Sequence, residues 1–532
     1  MNTSDSQRQW HTAYEKFNIP MTVSAPDGVG TLIDYFEYLI AKQPDAIAFT
    51  CLGQSLDYRA LDAHSKRLAA YLQTLGLQRG DKIAIMMPNL LHYPVAMMAV
   101  IRAGFVLVNI NPLYTPRELA HQLNDSDAKV LIVAKNFLDT VAQARAETAL
   151  QHLITTDMQT LGFVSPEGKA IDAEPAAYQR PDYVMPDDVA LLQYTGGTTG
   201  VAKGAMLTHR GLIHNVYQLH AVVGHTLSGH SGYILTALPL YHIFAFSVCV
   251  LFGMQAGLAN LLIPNPRDLP GLIDAIKTYK PILIPAVNTL FNAMLASEAF
   301  CNMDHGHVKL CVGGGMAILS DTAKRWQEVV GQPIIEGCGL SETGTVISVN
   351  PPAAGFTASI GIPLPMTDIK LLDDDGKICG IGQAGMICVQ GVQVMKGYYK
   401  REHLRHEYMT PDGYFKTGDI GIMDADGFIK IIDRKKDVVN VSGFNVYPSE
   451  IENVYASHPD VLECCAVGVP DPHSHEAVKL FVVKRRENVS ADDLREWGRA
   501  YLTGYKLPKH IEFIDEIPKS TVGKLLRKNL RS

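Results

Sequence analysis

A chain of 532 residues is longer than one compact core supports, so two or more domains are expected. Hydrophobic residues make up 47% and charged residues 19%, a balance that fits a globular protein and excludes a disordered one. The formal net charge of −7 offers no basic face to nucleic acid, and the 9 scattered cysteines, with no C-x-x-C spacing, point to a reduced, cytoplasmic setting.

The N-terminal residues 1–16 are polar and hold no apolar stretch that would serve as a signal peptide. Residues 57–75 place Leu61, Leu68, Leu72 and Leu75 at helical spacing before Gly76, which predicts an amphipathic helix. Residues 82–87 (KIAIMM) then predict a buried strand closed by Pro88 and Asn89, followed by a helix over residues 93–102 and a strand over 105–109. Helix and strand alternating in this way imply an α/β fold of packed layers around largely parallel sheets.

The most apolar stretch, residues 247–263, is short against the ~20 residues of a bilayer span and carries Gln255, Gly257 and Asn260. It predicts a buried helix running into a buried strand, with no transmembrane anchor. Peripheral attachment to the inner face of a membrane stays open. Late in the chain a strand over residues 428–432 meets the charged run Asp433-Arg-Lys-Lys-Asp437, and a new α/β pattern follows. The boundary is placed there, giving domains 1–433 and 434–532.

Residues 194–205 carry the strongest chemical signal. After an apolar strand over 189–193 come Thr195, Gly196, Gly197, Thr198, Thr199, Gly200 and Lys203. Glycines let backbone N–H groups approach phosphate oxygens, hydroxyls donate further bonds, and the lysine offsets charge. A flexible Gly/Thr linker would need neither the lysine nor a buried strand before it. The order is not G-x-x-x-x-G-K-[ST] and not G-x-G-x-x-G, which disfavours ordinary P-loop hydrolysis and dinucleotide binding. It suits an enzyme that attacks the α-phosphate of ATP.

With its flanks this loop, YTGGTTGVAKGAMLTH from Tyr194 to His209, resembles the signature of the adenylate-forming superfamily of acyl-CoA synthetases, luciferases and adenylation domains. Further motifs follow in that family's order: Gly337-Cys-Gly-Leu-Ser-Glu342-Thr, Tyr414-Phe-Lys-Thr-Gly-Asp419, Asp433-Arg-Lys-Lys-Asp437 with Val441-Ser-Gly-Phe-Asn445, and Pro518-Lys-Ser-Thr-Val-Gly-Lys524. Within the family, NLLHYPVA, VNINPLYTPREL, TALPLYHIFA and VSGFNVYPSEIE look most like bacterial long-chain fatty-acyl-CoA synthetases.

The resemblance implies a large N-terminal AMP-binding domain and a small mobile C-terminal one. It also implies formation of acyl-AMP and pyrophosphate from ATP and a fatty acid, then acyl transfer to coenzyme A. Lys524 resembles the catalytic lysine that bridges carboxylate and α-phosphate, and His242 lies, by likeness, beside the carboxylate. Glu342 resembles the carboxylate that holds Mg²⁺ on the triphosphate. Thr195 to Gly200, Lys203, Gly315, Glu336, Gly337, Cys338, Ser341, Asp419 and Arg434 are the implied nucleotide contacts, with Asp419 gripping the ribose. Tyr241, Phe244, Phe246 and Gly314 are implied for the acyl pocket, Ser442, Gly443 and Phe444 for the pantetheine channel, and Lys436 for the hinge.

This chain departs from the family where it places Cys338 at the position of an adenine-stacking aromatic and Ser341 at that of a threonine. Other readings are an acyl-AMP ligase that feeds a carrier protein, an aryl or medium-chain acid–CoA ligase, and a non-catalytic acyl-nucleotide sensor. The substrates are small molecules, no nucleic-acid partner is expected, and monomer and homodimer are both open. His209, His214, His220, His225 and His230 lack ligand partners at metal spacing and read as ordinary helix and loop residues.

Overall fold

The computed structural model describes residues 8–156, 160–195, 202–442, 444–486, 489–520 and 525–531. The chain divides into two compact units, one of Met1–Gly197, Val201–Asp368 and Gln390–Glu407, the other of Thr198–Gly200, Ile369–Val389 and Tyr408–Ser532.

In the first unit the predicted alternation is present. The helix Tyr58–Gln73 starts where Asp57 accepts a hydrogen bond from the Ala60 N–H at 2.7 Å, and it buries Leu61, Leu68 and Leu72. Strand Lys82–Met86, helix His92–Arg102 and strand Val106–Ile110 follow, and the two strands pair in parallel with Lys82 opposite Val106. The last strand begins one residue later than its sequence suggests. Gly104 turns the chain at φ +83° and the Phe105 N–H bonds back to the Val100 carbonyl, closing the helix before the strand can start.

Two sheets organise this unit among the described residues. The seven-stranded sheet runs Phe163–Val164, His152–Thr156, Ala128–Ala134, Lys82–Met86, Val106–Ile110, Val189–Thr195, Lys203–Thr208. The nine-stranded sheet has Ile334–Leu340, Leu310–Gly313, Leu283–Ala286, Tyr233–Thr236 and Ala259–Leu262 as successive neighbours, all paired in parallel. Their apolar runs are buried on both faces, as parallel strands require.

The apolar stretch near residue 250 is indeed a buried helix that runs into a strand, Ala259–Leu262, but Ala245–Phe252 winds as a π-helix. Among the described residues no helix is long and apolar enough to cross a membrane.

Among the described residues the second unit holds a four-stranded sheet in which Phe415–Met423 pairs antiparallel with Gly385–Gln390 and Ile429–Arg434. It also holds a five-stranded sheet centred on His475–Lys484 and Val461–Asp471. Helices Pro448–Ala456 and Ala491–Tyr501 supply Ile451, Tyr455 and Leu494 to the core on that sheet. The chain passes from one sheet to the other between Arg434 and Val439, where the sequence places its domain boundary, while the compact division keeps both sheets in one unit.

Candidate active site

The phosphate-loop sequence joins two paired strands of the first unit. Val189–Thr195 runs antiparallel to Lys203–Thr208, with Thr195 opposite Lys203 and Tyr194 opposite Gly204. Gly196, Gly197, Thr198, Thr199 and Gly200 lie outside the described residues. The strand before them is held in register by Tyr194, whose hydroxyl donates to Asp125 at 2.8 Å. Burial and that carboxylate push the phenol well above its usual range. Asp125 in turn accepts from Arg401 at 2.7 Å.

The exit strand carries Lys203 to Tyr398. The Lys203 ammonium stands 5.3 Å from the centre of the Tyr398 ring, and the Tyr398 hydroxyl donates to Glu342 Oε1 at 2.6 Å. Glu342 lies in the short 3-10 turn Ser341–Thr343, whose backbone is tied down by the Met395 N–H bonding to the Glu342 carbonyl at 2.8 Å. Two candidate triphosphate residues from distant parts of the chain therefore meet on one phenol.

The acyl and nucleotide candidates gather at the ends of parallel strands, where an α/β sheet leaves a crevice for ligands. Gly313, at the end of Leu310–Gly313, pairs with Glu336 in Ile334–Leu340. Gly314 follows. A Cβ at Gly314 would stand 2.9 Å from the Phe244 ring and 3.4 Å from the Gly337 carbonyl, so the backbone fits there only without a side chain. Phe244 and Gly314 thus touch, and Gly314 abuts the strand that carries Gly337 and Cys338. Gly315 is exposed beside them, and Cys338 is half-buried opposite Ser348.

Hydrogen bonds between backbone and buried side chains fix these pieces together. Gln193 Nε2 donates to the Tyr241 carbonyl at 3.1 Å, which ties the phosphate-loop strand to the segment of Tyr241 and His242. His242 accepts the Phe244 N–H on Nδ1 at 3.3 Å, and its carbonyl accepts the Phe246 N–H at 3.0 Å. Ser247 donates to the Gly344 carbonyl at 2.7 Å and Thr345 to the Ile243 carbonyl at 3.1 Å, so the π-helix is fastened to the turn after Glu342. Phe246 is wholly buried in that π-helix. Glu336 is also buried and accepts the Ile318 N–H, and desolvation pushes its carboxyl up to about 7.

In the second unit Asp419 and Arg434 face each other across antiparallel strands and form an ion pair at 2.6 Å, with Asp419 buried and Arg434 half-buried. Gly418, at φ +77°, bends the strand just before Asp419, a conformation that disfavours any side chain. Its carbonyl accepts the Lys435 N–H. Lys436 lies exposed in the turn after Arg434, and partial desolvation of its ammonium lowers the pKa. Ser442 takes a left-handed conformation at φ +53°, and exposed Phe444 stacks on Tyr505 at 4.7 Å.

Gly443 and Lys524 lie outside the described residues, but the chain on either side of Lys524 is anchored. Lys519 pairs with Glu463, Arg527 with half-buried Glu452, and Arg531 with Asp437. The C-terminal arginines therefore hold the segment onto the unit and do not form a free basic tail.

The five histidines singled out by sequence show no metal-binding arrangement. His209, His214 and His220 lie on helix His209–Val223, and among the described residues no three His, Cys, Asp or Glu side chains are grouped to hold a metal ion. Sequence reasoning missed Tyr398, Gln193 and Ser247. Each acts through a hydrogen bond to a residue far away in the chain, which leaves no local spacing to read.

Residues 36–399 match the AMP-binding enzyme family and residues 450–524 match the AMP-binding enzyme C-terminal domain. The chain belongs to the AMP-binding enzyme family. Among particular relatives, it is 45% identical to the long-chain-fatty-acid–CoA ligase of Escherichia coli O157:H7, over 99% of this chain and 98% of that one. It is 33% identical to the feruloyl-CoA synthase of an Amycolatopsis species, over 92% and 96%. Two solved structures resemble it over 94% of this chain and 98% of theirs. They are ATP-bound MatB from Rhodopseudomonas palustris, with TM-score 0.83 and 28% identity, and o-succinylbenzoate CoA synthetase from Bacillus subtilis with its acyl-adenylate intermediate, with TM-score 0.81 and 27% identity.

Proposed function

We propose that this chain is an ATP-dependent long-chain fatty-acid–CoA ligase. It would form acyl-AMP and pyrophosphate, then acyl-CoA and AMP. The carrying observation is the 45% identity to a long-chain-fatty-acid–CoA ligase across both chains nearly end to end.

Joining a carboxylate to the α-phosphate of ATP brings anions together, so catalysis is mainly positioning plus fixed positive charge. In this reading the phosphate loop and Lys203 hold the triphosphate, and Lys524 and His242 act at the reacting carboxylate. Glu342 fits a Mg²⁺ carried by ATP, since that cation prefers oxygen ligands and takes one or two carboxylates along with substrate phosphates. Asp419 would bind the ribose, Arg434 would add a contact to the nucleotide, and Gly315, Glu336, Gly337, Cys338 and Ser341 would frame adenine and α-phosphate. Tyr241, Phe244, Phe246 and Gly314 would line the acyl site.

Thioester formation needs the thiol where the lysine stood. Domains 1–433 and 434–532 would turn about Lys436, bringing Ser442, Gly443 and Phe444 to the pantetheine. The enzyme would work in the cytoplasm, with peripheral contact at the inner membrane face to collect long-chain acids.

The test is pyrophosphate release over a panel of acids from acetate to oleate, with an aromatic acid such as ferulate included, each with and without coenzyme A. Release with long-chain acids, and acyl-CoA when the thiol is added, is expected. Preference for ferulate or for short acids would overturn the substrate assignment, and absence of release with every acid would overturn the ligase reading.

A further inference from the structure

The meeting of Lys203 and Glu342 on Tyr398 is more than a packing contact. Tyr398 is 9% exposed and its backbone is fixed from two sides. It bridges Ala205 in antiparallel register, the Tyr399 N–H bonds to the Gly204 carbonyl, and the Met206 N–H bonds to the Gly397 carbonyl. Three residues before it, the Met395 N–H holds the Glu342 carbonyl. The segment 395–399 thus ties the exit strand of the phosphate loop to the turn that presents Glu342.

The side chain does two different things at its two ends. Its hydroxyl donates to Glu342 Oε1 at 2.6 Å, the length of a charge-assisted O–H···O⁻ bond. Its ring face receives the Lys203 ammonium at 5.3 Å, within the range of cation–π attraction. A lysine and a glutamate that both reach one side chain would, with no spacer, close on each other as an ion pair. Each would then neutralise the charge that the other needs for a triphosphate and its cation.

We infer that Tyr398 is a positioning residue for the triphosphate and its divalent cation. Its ring keeps Lys203 apart from Glu342, and its hydroxyl fixes the rotation of the Glu342 carboxylate through Oε1, leaving the cation to Oε2. This rests on the ligase reading for the roles of Lys203 and Glu342, and it separates the two ends of one phenol into two measurable functions.

The experiment is calorimetric titration of the full-length protein with ATP, in EDTA and over a series of Mg²⁺ concentrations, for wild type, Tyr398→Phe and Tyr398→Leu. Thermal melting checks that each variant is folded. Tyr398→Phe keeps the spacer and loses the hydroxyl. It should bind metal-free ATP like wild type but need about tenfold more Mg²⁺ for the same gain in affinity, the size of one hydrogen bond to a charged group. Tyr398→Leu should also lose affinity for metal-free ATP, by about threefold to tenfold, as Lys203 turns to Glu342. Equal losses with and without Mg²⁺ in Tyr398→Phe would make the residue a packing element and overturn the inference, as would an unchanged Mg²⁺ requirement. If Tyr398→Leu does not fold, Tyr398→Phe alone decides the role of the hydroxyl. Wild type that binds no ATP would instead overturn the ligase reading.

Discussion

The candidate residues of the first unit and those around residue 434 in the second are held in different ways. In the first, Gln193, Ser247 and Thr345 are buried and bond to carbonyls of neighbouring segments. Removing such a group leaves a buried acceptor unsatisfied, so the arrangement resists change. In the second, the residue next to the hinge candidate, Lys435, pairs with Asp374 with side chains 51% and 83% exposed. Such pairs contribute little and exchange readily for water. Firmly bonded strand ends and a loosely tied turn suit the nucleotide site and the hinge proposed above.

The comparison can be broken by experiment. The largest effect is expected from Lys524→Ala, which should lower adenylation by more than ~10²-fold, the usual worth of one preorganised charge donor at such a transition state. Thioester formation from supplied acyl-AMP should suffer far less. Equal loss in both half-reactions, measured separately, would leave no role for a lysine that acts in one step only.

Gly443→Leu should do the reverse. Pyrophosphate release should stay intact, while acyl-CoA synthesis should fall by roughly a hundredfold, the cost of misplacing a reacting group. Undiminished acyl-CoA synthesis would remove this position from the thiol channel.

Glu336 gives a pH signature to the rigid unit. Its carboxyl is raised from 4.5 to about 7 by burial, so the folded state keeps a proton that the unfolded chain has released. The stability this contributes is complete below pH 4.5 and is lost as pH rises towards about 7, of order 3 kcal/mol in total. Glu336→Gln should flatten that part of the curve of denaturation free energy against pH. A variant with the wild-type slope between those values would show that Glu336 is ionised in the fold.

The smallest effects test the two modes of attachment directly. Ser247→Ala should destabilise the protein by about 1 kcal/mol, because the buried bond from the Ser247 hydroxyl to the Gly344 carbonyl is lost. Lys435→Ala should cost less than about 0.5 kcal/mol. Urea denaturation of both variants checks this, and a larger loss for Lys435→Ala would reverse the contrast.

Much was legible from residues alone. The helix after Asp57 needed only leucine spacing ahead of a glycine, a local property of the chain. The strand before Thr195 and the phosphate-loop motif after it were legible because an apolar run is followed by glycines and hydroxyls at close spacing, while the pairing with Lys203–Thr208 was not. Glu342, Asp419 and Lys524 could be singled out because their motifs are short and contiguous.

Tertiary structure decided what contiguity cannot encode. Ala245–Phe252 winds as a π-helix whose Ser247 bonds to the Gly344 carbonyl, 97 positions away. That Asp419 meets Arg434 depends on the register of two antiparallel strands, and that Gly314 must be glycine depends on the ring of Phe244. Tyr398 carries no signal in its own neighbourhood, because its significance lies in two partners, 195 residues away at Lys203 and 56 away at Glu342. The sequence by itself determined the chemistry available, since side-chain type and local spacing are properties of the chain. Which charges are kept apart, which carboxyl is desolvated and which segments are free to exchange partners arose only when packing brought distant residues within hydrogen-bonding range.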